Sequence, residues 1–200
     1  MSKPGAWAEL FPHALRLMAH LERQTRHALW TFGGGTVLML RIGHRQSKDI
    51  DLFVPDPQYL GYVNPRLSDV AEQITADYEE NGTALTTRPF DVVSFGGREI
   101  KVETSAEIIA KKMWHRGDRA NARDLYDLCA VAEAEPEAIT LAAPFFKRHG
   151  TLFLQRLHER ATWLQAEFAA IDAIGFRRPF AQCLTQAQLI VEPLLTRPPT

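Results

Sequence analysis

The chain contains no run of about 18 apolar residues, the length a helix needs to cross a bilayer, so no membrane span is expected. Cysteine is scarce: only Cys129 and Cys183 occur, both in apolar helical contexts, and there is no CxxC pair and no HExxH motif. A structural zinc and a zinc-protease site therefore lack support. Met1-Ser2-Lys3-Pro4-Gly5 leads into a short mixed segment and not into a signal-peptide core, so two reduced, buried thiols and a cytoplasmic location are the expectation. Neither sign of charge is in excess: 23 Lys and Arg stand against 24 Asp and Glu, a formal net charge of −1, which gives no whole-chain nucleic-acid signature. Repeats and low-complexity tracts are absent too. What remains is a chain of ordinary globular composition, 46% apolar and 24% charged, long enough for one packed domain or two small lobes.

The first half of the chain mixes helix and strand signals, and the second is almost purely helical. Pro12 suits a first helical turn. Ala14, Leu17, Met18 and Leu21 then follow one helix face. The apolar stretch from Ala28 to Phe32 runs into Gly33-Gly34-Gly35, and Thr36 to Arg41 reads as a short helix. Asp49 to Val54 alternates with period two and reads as a strand ended by Pro55 and Pro57. Asn64-Pro65 opens a helix whose face carries Leu67, Val70, Ala71, Ile74 and Tyr78, and Asn81-Gly82 marks a turn. Phe90–Phe95 and Arg98–Val102 form a hairpin about Gly96-Gly97. Thr104 and Glu107 have capping-box spacing, which starts a helix near Ser105. Breaks follow near Gly117, Pro136, Gly150 and Gly175, with Phe153, Leu157, Leu164, Phe168 and Ile171 on one stripe of the longest helix. The tail Thr196-Arg197-Pro198-Pro199-Thr200 is expected to fray. The reading is an α+β fold: an α/β core over residues 1–104 and a helical C-terminal lobe over 105–200.

The chemistry concentrates in Gly34-Gly35-Thr36, twelve residues, and then Asp49-Ile50-Asp51. Side chains at i and i+2 of a strand share a face, so Asp49 and Asp51 are expected to project together. Two carboxylates within about 4 Å repel by roughly 4 kcal/mol at an effective dielectric near 20. A cation between them removes that cost, and hard oxygen ligands favour Mg2+ or Mn2+. Glycines at a strand-to-helix turn let a phosphate approach the backbone N–H groups of the helix start, and the Thr36 hydroxyl adds a donor. A second feature is basic. Lys111, Lys112, His115, Arg116, Arg119 and Arg123 cluster in one short segment, either as a phosphate-binding surface or as a solvated helix face.

The segment from Phe32 to Asp51 resembles the signature of the DNA polymerase β-like nucleotidyltransferase superfamily: hydrophobic residue, paired glycines, a gap of about a dozen residues, then acid-hydrophobic-acid. More narrowly, Thr31 through Phe53, together with Glu107-Ile108-Ile109-Ala110-Lys111-Lys112 to Arg116 and Ala122-Arg123-Asp124-Leu125-Tyr126-Asp127-Leu128, is similar to the AbiEii/AbiGii-type nucleotidyltransferase toxins. The resemblance runs from about residue 28 to 131. It implies a nucleotidyltransferase-like mixed sheet flanked by helices, Asp49 and Asp51 as metal ligands, and Gly34, Gly35 and Thr36 around the triphosphate. It also implies Lys112 or Lys111 on the nucleotide phosphates, Asp124 as a further functional acid, and Arg123 as a phosphate or structural partner. From the residues themselves, Arg123 and Asp127 have the spacing of an i,i+4 helix brace, and Arg45 and Ser47 lie near enough to the acids to reach phosphate or to form a solvated loop.

The superfamily pattern includes a third acid on a later strand. Asp91 and Glu103 both fit, and the apolar flanks of Asp91 favour it as metal ligand and base, while Glu103 directly precedes the Thr104 cap. The stretch from Glu80 to Gly97 is short for the family. The expected activity is transfer of a nucleoside monophosphate from an NTP to an acceptor, either RNA (a tRNA 3′ end in particular) or a protein hydroxyl, in a toxin or phage-defence component held in check by an antitoxin. The alternative is a degenerate, nucleotide-binding interaction protein without turnover. A third expectation, a metal-dependent phosphodiesterase, would shorten RNA.

Overall fold

The computed structural model describes residues 6–25, 29–54, 57–59 and 84–196. The expected helix over 67–78, the Asn64-Pro65 cap, the Asn81-Gly82 turn, Ala28, Pro55 and the last four residues lie outside them. The chain divides into two compact units, one drawn from Met1–Val37, Ser47–Ala84 and Phe90–Glu103, the other from Leu38–Gln46, Leu85–Pro89 and Thr104–Thr200.

The first unit is built on helix α1 (Ala6–Gln24) and a four-stranded mixed sheet: β1 (Thr31–Gly33), β2 (Asp51–Phe53), β3 (Phe90–Phe95) and β4 (Arg98–Glu103). The sequence places the start of α1 at Pro12, but the helix begins six residues earlier and holds Pro12 in its interior. An interior proline costs about 3 kcal/mol. Aromatic packing offsets it: the Phe11 ring sits 5.0 Å from both Phe32 and Phe95, with Trp7 at its edge. Ala14, Leu17, Met18 and Leu21 are buried as their spacing requires.

Strand order is β2-β1-β4-β3. β1 runs antiparallel to β2 and parallel to β4, and β3 and β4 form the expected hairpin. Gly96 and Gly97 take φ of 57° and 79°, the left-handed pair that a tight two-residue turn demands. Residues paired across strands share a face, and faces alternate along each strand. The register therefore puts Phe32, Leu52, Ile100, Val102, Asp91 and Phe95 on the face that α1 covers. Thr31, Gly33, Asp51, Phe53 and Glu103 occupy the other face.

Helix α2 (Gly34–Ile42) begins in the first unit and ends in the second. The second unit is helical: α3 (Ser105–Arg116), α4 (Ala122–Ala134), α5 (Pro136–Ala142), α6 (Phe146–Glu159), α7 (Ala161–Ala169) and α8 (Phe180–Thr196). Only half of the expected capping box at α3 forms. Thr104 accepts from the Glu107 backbone N–H at 3.2 Å, but the Glu107 carboxylate turns to the Leu85 and Thr86 N–H groups and the Thr86 hydroxyl, at 2.8–2.9 Å. Those bonds fasten the 85–89 segment to α3.

Gly150 does not break a helix. It lies inside α6, where an added Cβ would meet Val191 and Leu195 of α8 at 3.0–3.1 Å. The long apolar stripe is split between two helices at Arg160: Phe153 and Leu157 lie on α6, Leu164 and Phe168 on α7, and all four are buried. Ile171 lies beyond α7. Cys129 and Cys183 are free and buried, with the Cys129 thiol donating to the Cys183 carbonyl at 3.4 Å. Among the described residues, no helix is long and apolar enough to cross a membrane.

Candidate active site

The site grows from the end of β1. Gly33 pairs with Asp51 on one side, and the parallel register Phe32–Val102 brings Glu103 level with Gly33 on the other. Both carboxylates project on the same face and come to rest against the two glycines. A Cβ on Gly34 would lie 1.9 Å from Asp51 Oδ2, and a Cβ on Gly33 would lie 2.1 Å from Glu103 Oε2. Gly34 also holds φ +69°, so the turn from strand into α2 depends on glycine for conformation and for space. The α2 amino terminus, whose first N–H groups have no intrahelical partner and which carries partial positive charge, thus stands directly beside the Asp51 carboxylate. Gly34→Ala is expected to cost about 1–2 kcal/mol for the left-handed backbone alone. It should also push Asp51 off the turn; urea denaturation beside the wild type checks the loss of stability.

Glu103 is almost wholly buried, at 1% exposure, and accepts from the Thr31 hydroxyl at 2.9 Å. Asp91 is not brought to this cluster. It pairs with Val102, one residue out of phase with Glu103, and so falls on the α1 face of the sheet. Apolar flanks alone do not reveal strand phase.

Asp49 lies outside β2 and is exposed, so period-two alternation does not extend to it. Its backbone is nevertheless fixed. Thr36, fully buried, donates to the Asp49 carbonyl at 2.5 Å and pairs with the Ser47 hydroxyl at 2.9 Å. Thr36 and Ser47, expected to reach phosphate, instead tie the loop before β2 onto the first turn of α2. Gly35 forms part of that turn.

The second unit holds a buried ion network. Asp127 accepts four hydrogen bonds: from His44 Nε2 (2.8 Å), Arg45 Nε (2.6 Å) and Nη2 (2.9 Å), and Lys112 Nζ (2.7 Å). Asp124 accepts from Lys112 at 2.7 Å and Arg116 at 2.8 Å, while its backbone N–H donates to the cap residue Asn121. Burial on its own raises both carboxyls. The adjoining cations more than reverse it, holding Asp124 below the ordinary range through Lys112 and Arg116, and Asp127 well below it through Lys112, His44 and Arg45.

Several expectations change here. Arg45 is 6% exposed and clamped on Asp127. The Arg123–Asp127 brace does not form; Arg123 is exposed, and Asp127 takes partners 82 and 83 residues away in sequence. Lys111 is buried 3.6 Å from Glu107. The basic segment is therefore a mixture of buried pairs and exposed arginines and not one continuous surface. His44 was missed altogether, because no local spacing links it to α4.

Among the described residues, no three His, Cys, Asp or Glu side chains form a ready metal cage. The donor set does fit an ion that arrives with a nucleotide: two hard carboxylates at a glycine-lined turn, with the exposed Asp49 close by in sequence. Magnesium is commonly held this way, by one or two carboxylates plus substrate phosphates.

A family model described as "Nucleotidyl transferase AbiEii toxin, Type IV TA system" matches residues 16–95 and 82–195, nearly the whole chain. The chain belongs to the AbiEii nucleotidyltransferase toxin family. No curated protein and no solved structure matches. Membership makes the protein a nucleotidyltransferase of the toxin–antitoxin type. The AbiEii match covers both the glycine turn with its acids and the Lys112–Asp124 segment.

Proposed function

We propose that the chain transfers a nucleoside monophosphate from an NTP to an acceptor hydroxyl, with the triphosphate received at the β1–α2 turn. The observation that carries this reading is the placement of the Asp51 and Glu103 carboxylates against Gly34 and Gly33. Asp51, Glu103 and the exposed Asp49 are the residues that would hold Mg2+ or Mn2+. Such an ion would neutralise phosphate charge as it develops. The N–H groups opening α2, through Gly34 and Gly35, would grip phosphate oxygens. Thr36 and Ser47 hold the acid-bearing loop in register with that helix start.

Glu103 replaces Asp91 as the third acid, because it shares a face with Asp51. Lys112 and Asp124 act within the helical unit. Two of the three ammonium protons of Lys112 are bound by Asp124 and Asp127, so its first role is to keep the α3–α4 pair closed. An RNA acceptor, such as a tRNA 3′ end, a cognate antitoxin, a part in phage defence and a cytoplasmic setting complete the proposal.

The test is incubation with magnesium, each labelled NTP and total RNA. Label on RNA, pyrophosphate release, and a severe loss in Glu103→Gln but not in Asp91→Asn are the expected results. Label on protein would change the acceptor. RNA shortening, or NTP binding with neither label transfer nor pyrophosphate, would overturn the reading.

A further inference from the structure

Net charge near zero hides a local asymmetry on the helical unit. Arg148, Leu152, Arg156 and Arg160 recur every four residues along α6 and the residue that follows it, so each is the neighbour of the next on a stripe that winds slowly round the helix. All are exposed, and the face extends about 18 Å at 1.5 Å per residue. At its far end, the Arg160 guanidinium lies 4.5 Å over the Trp163 ring, and Arg160 also donates to the Arg119 carbonyl. Trp163 is 52% exposed, a large fraction for an indole on a surface, and the Arg119 side chain is 77% exposed. Acids at this face are few: Glu159 pairs with Arg156 at 2.7 Å, and Asp118 lies 4.0 Å from Arg119. Exposed pairs of this kind exchange readily for other anions, since they contribute little. Arg177 and Arg178 are taken up by the Ala173 carbonyl and by Glu133.

We infer that the exposed face of α6, with Trp163 as a stacking platform, binds single-stranded RNA. Guanidinium groups in a row meet phosphates, while an indole capped by one arginine offers a base a flat apolar face next to a cation. Bases stacked inside a duplex cannot reach a ring on a helix surface. Unpaired RNA loops and ends present splayed bases to aromatic rings and arginine planes, which favours RNA over DNA as the occupant. The surface shares no residue with the glycine turn, and the inference does not depend on nucleotide transfer.

The experiment is fluorescence anisotropy with the full chain, without NTP or metal, using a labelled mixed-sequence 12-nucleotide RNA. The same RNA annealed to its complement and the DNA of the same sequence serve as further arms. Single-stranded RNA should bind at least about tenfold tighter than the duplex. Trp163→Ala should weaken it roughly tenfold, with Trp163→Phe recovering much of the loss. Replacing Arg148, Arg156 and Arg160 together by alanine should lower the slope of log affinity against log salt by about 2. All these side chains are exposed, and circular dichroism would verify that each variant folds. Equal binding of duplex, tighter binding of single-stranded DNA, an unaltered Trp163→Ala affinity, or absence of RNA binding by the wild-type chain would each overturn the inference.

Discussion

Asp51→Ala is expected to lower NMP transfer by about 10²–10³-fold, the usual consequence of removing one preorganised group that meets developing charge, while leaving a folded protein. The carboxylate is half-buried and lies over the backbone of Gly34, so its removal opens space at the turn and does not excavate a core. Thr36, Ser47 and the β1–β2 ladder still hold the loop. Asp51→Asn separates charge from shape: it keeps the volume over Gly34 and should lose nearly as much activity as alanine. Steady-state transfer assays alongside thermal melts provide the check. Near-normal activity in either variant would remove Asp51 from the chemistry.

The second large effect falls on stability. Asp127→Ala is expected to cost about 3–5 kcal/mol, because it leaves Arg45 and Lys112 buried without their shared counter-charge. Removing one partner is far worse than replacing the whole network by apolar residues, so the loss does not measure what the network contributes. The same geometry sets a pH dependence. Asp124 and Asp127 are held below their unfolded values near pH 4. A depressed carboxylate contributes stability that is full above its unfolded value and disappears as pH falls toward the folded one. Unfolding free energy of the wild-type chain should therefore drop as pH is lowered from about 5 through 4 and below. Asp127→Asn, weaker at neutral pH, should show a shallower decline over that window. Urea titrations at a series of pH values would test both; an Asp127→Asn protein with wild-type stability at pH 7 would refute the role given to the network.

How much of this was legible in the sequence depended on how local each signal was. The glycine turn, the hairpin at Gly96-Gly97, the α3 start and the α1 core face all rest on residues within a few positions of one another, and they are found in the structure. Gly150 was misread because a helical glycine made necessary by Val191 and Leu195 looks the same in sequence as one that ends a helix. The third acid was a question of strand phase: Asp91 and Glu103 both sit on β strands, and only the Phe32–Val102 register decides which of them faces Asp51. Asp127 was seen only as a candidate local brace, since His44 and Arg45 are more than 80 residues distant in sequence. The Thr36 hydroxyl is bonded to Ser47 and to the Asp49 carbonyl, partners that its place after the glycines does not reveal.

In the proposed function, the carboxylates against Gly33 and Gly34 create a divalent-ion site completed by a nucleotide. Titrating Mn2+ into the chain, with paramagnetic resonance as readout and each of four non-hydrolysable NTP analogues present in turn, tests it without any turnover. Saturable binding with one analogue, weakened at least about tenfold (1.4 kcal/mol) by Asp51→Asn and again by Glu103→Gln, is predicted. Identical Mn2+ affinity in wild type and both variants would contradict it.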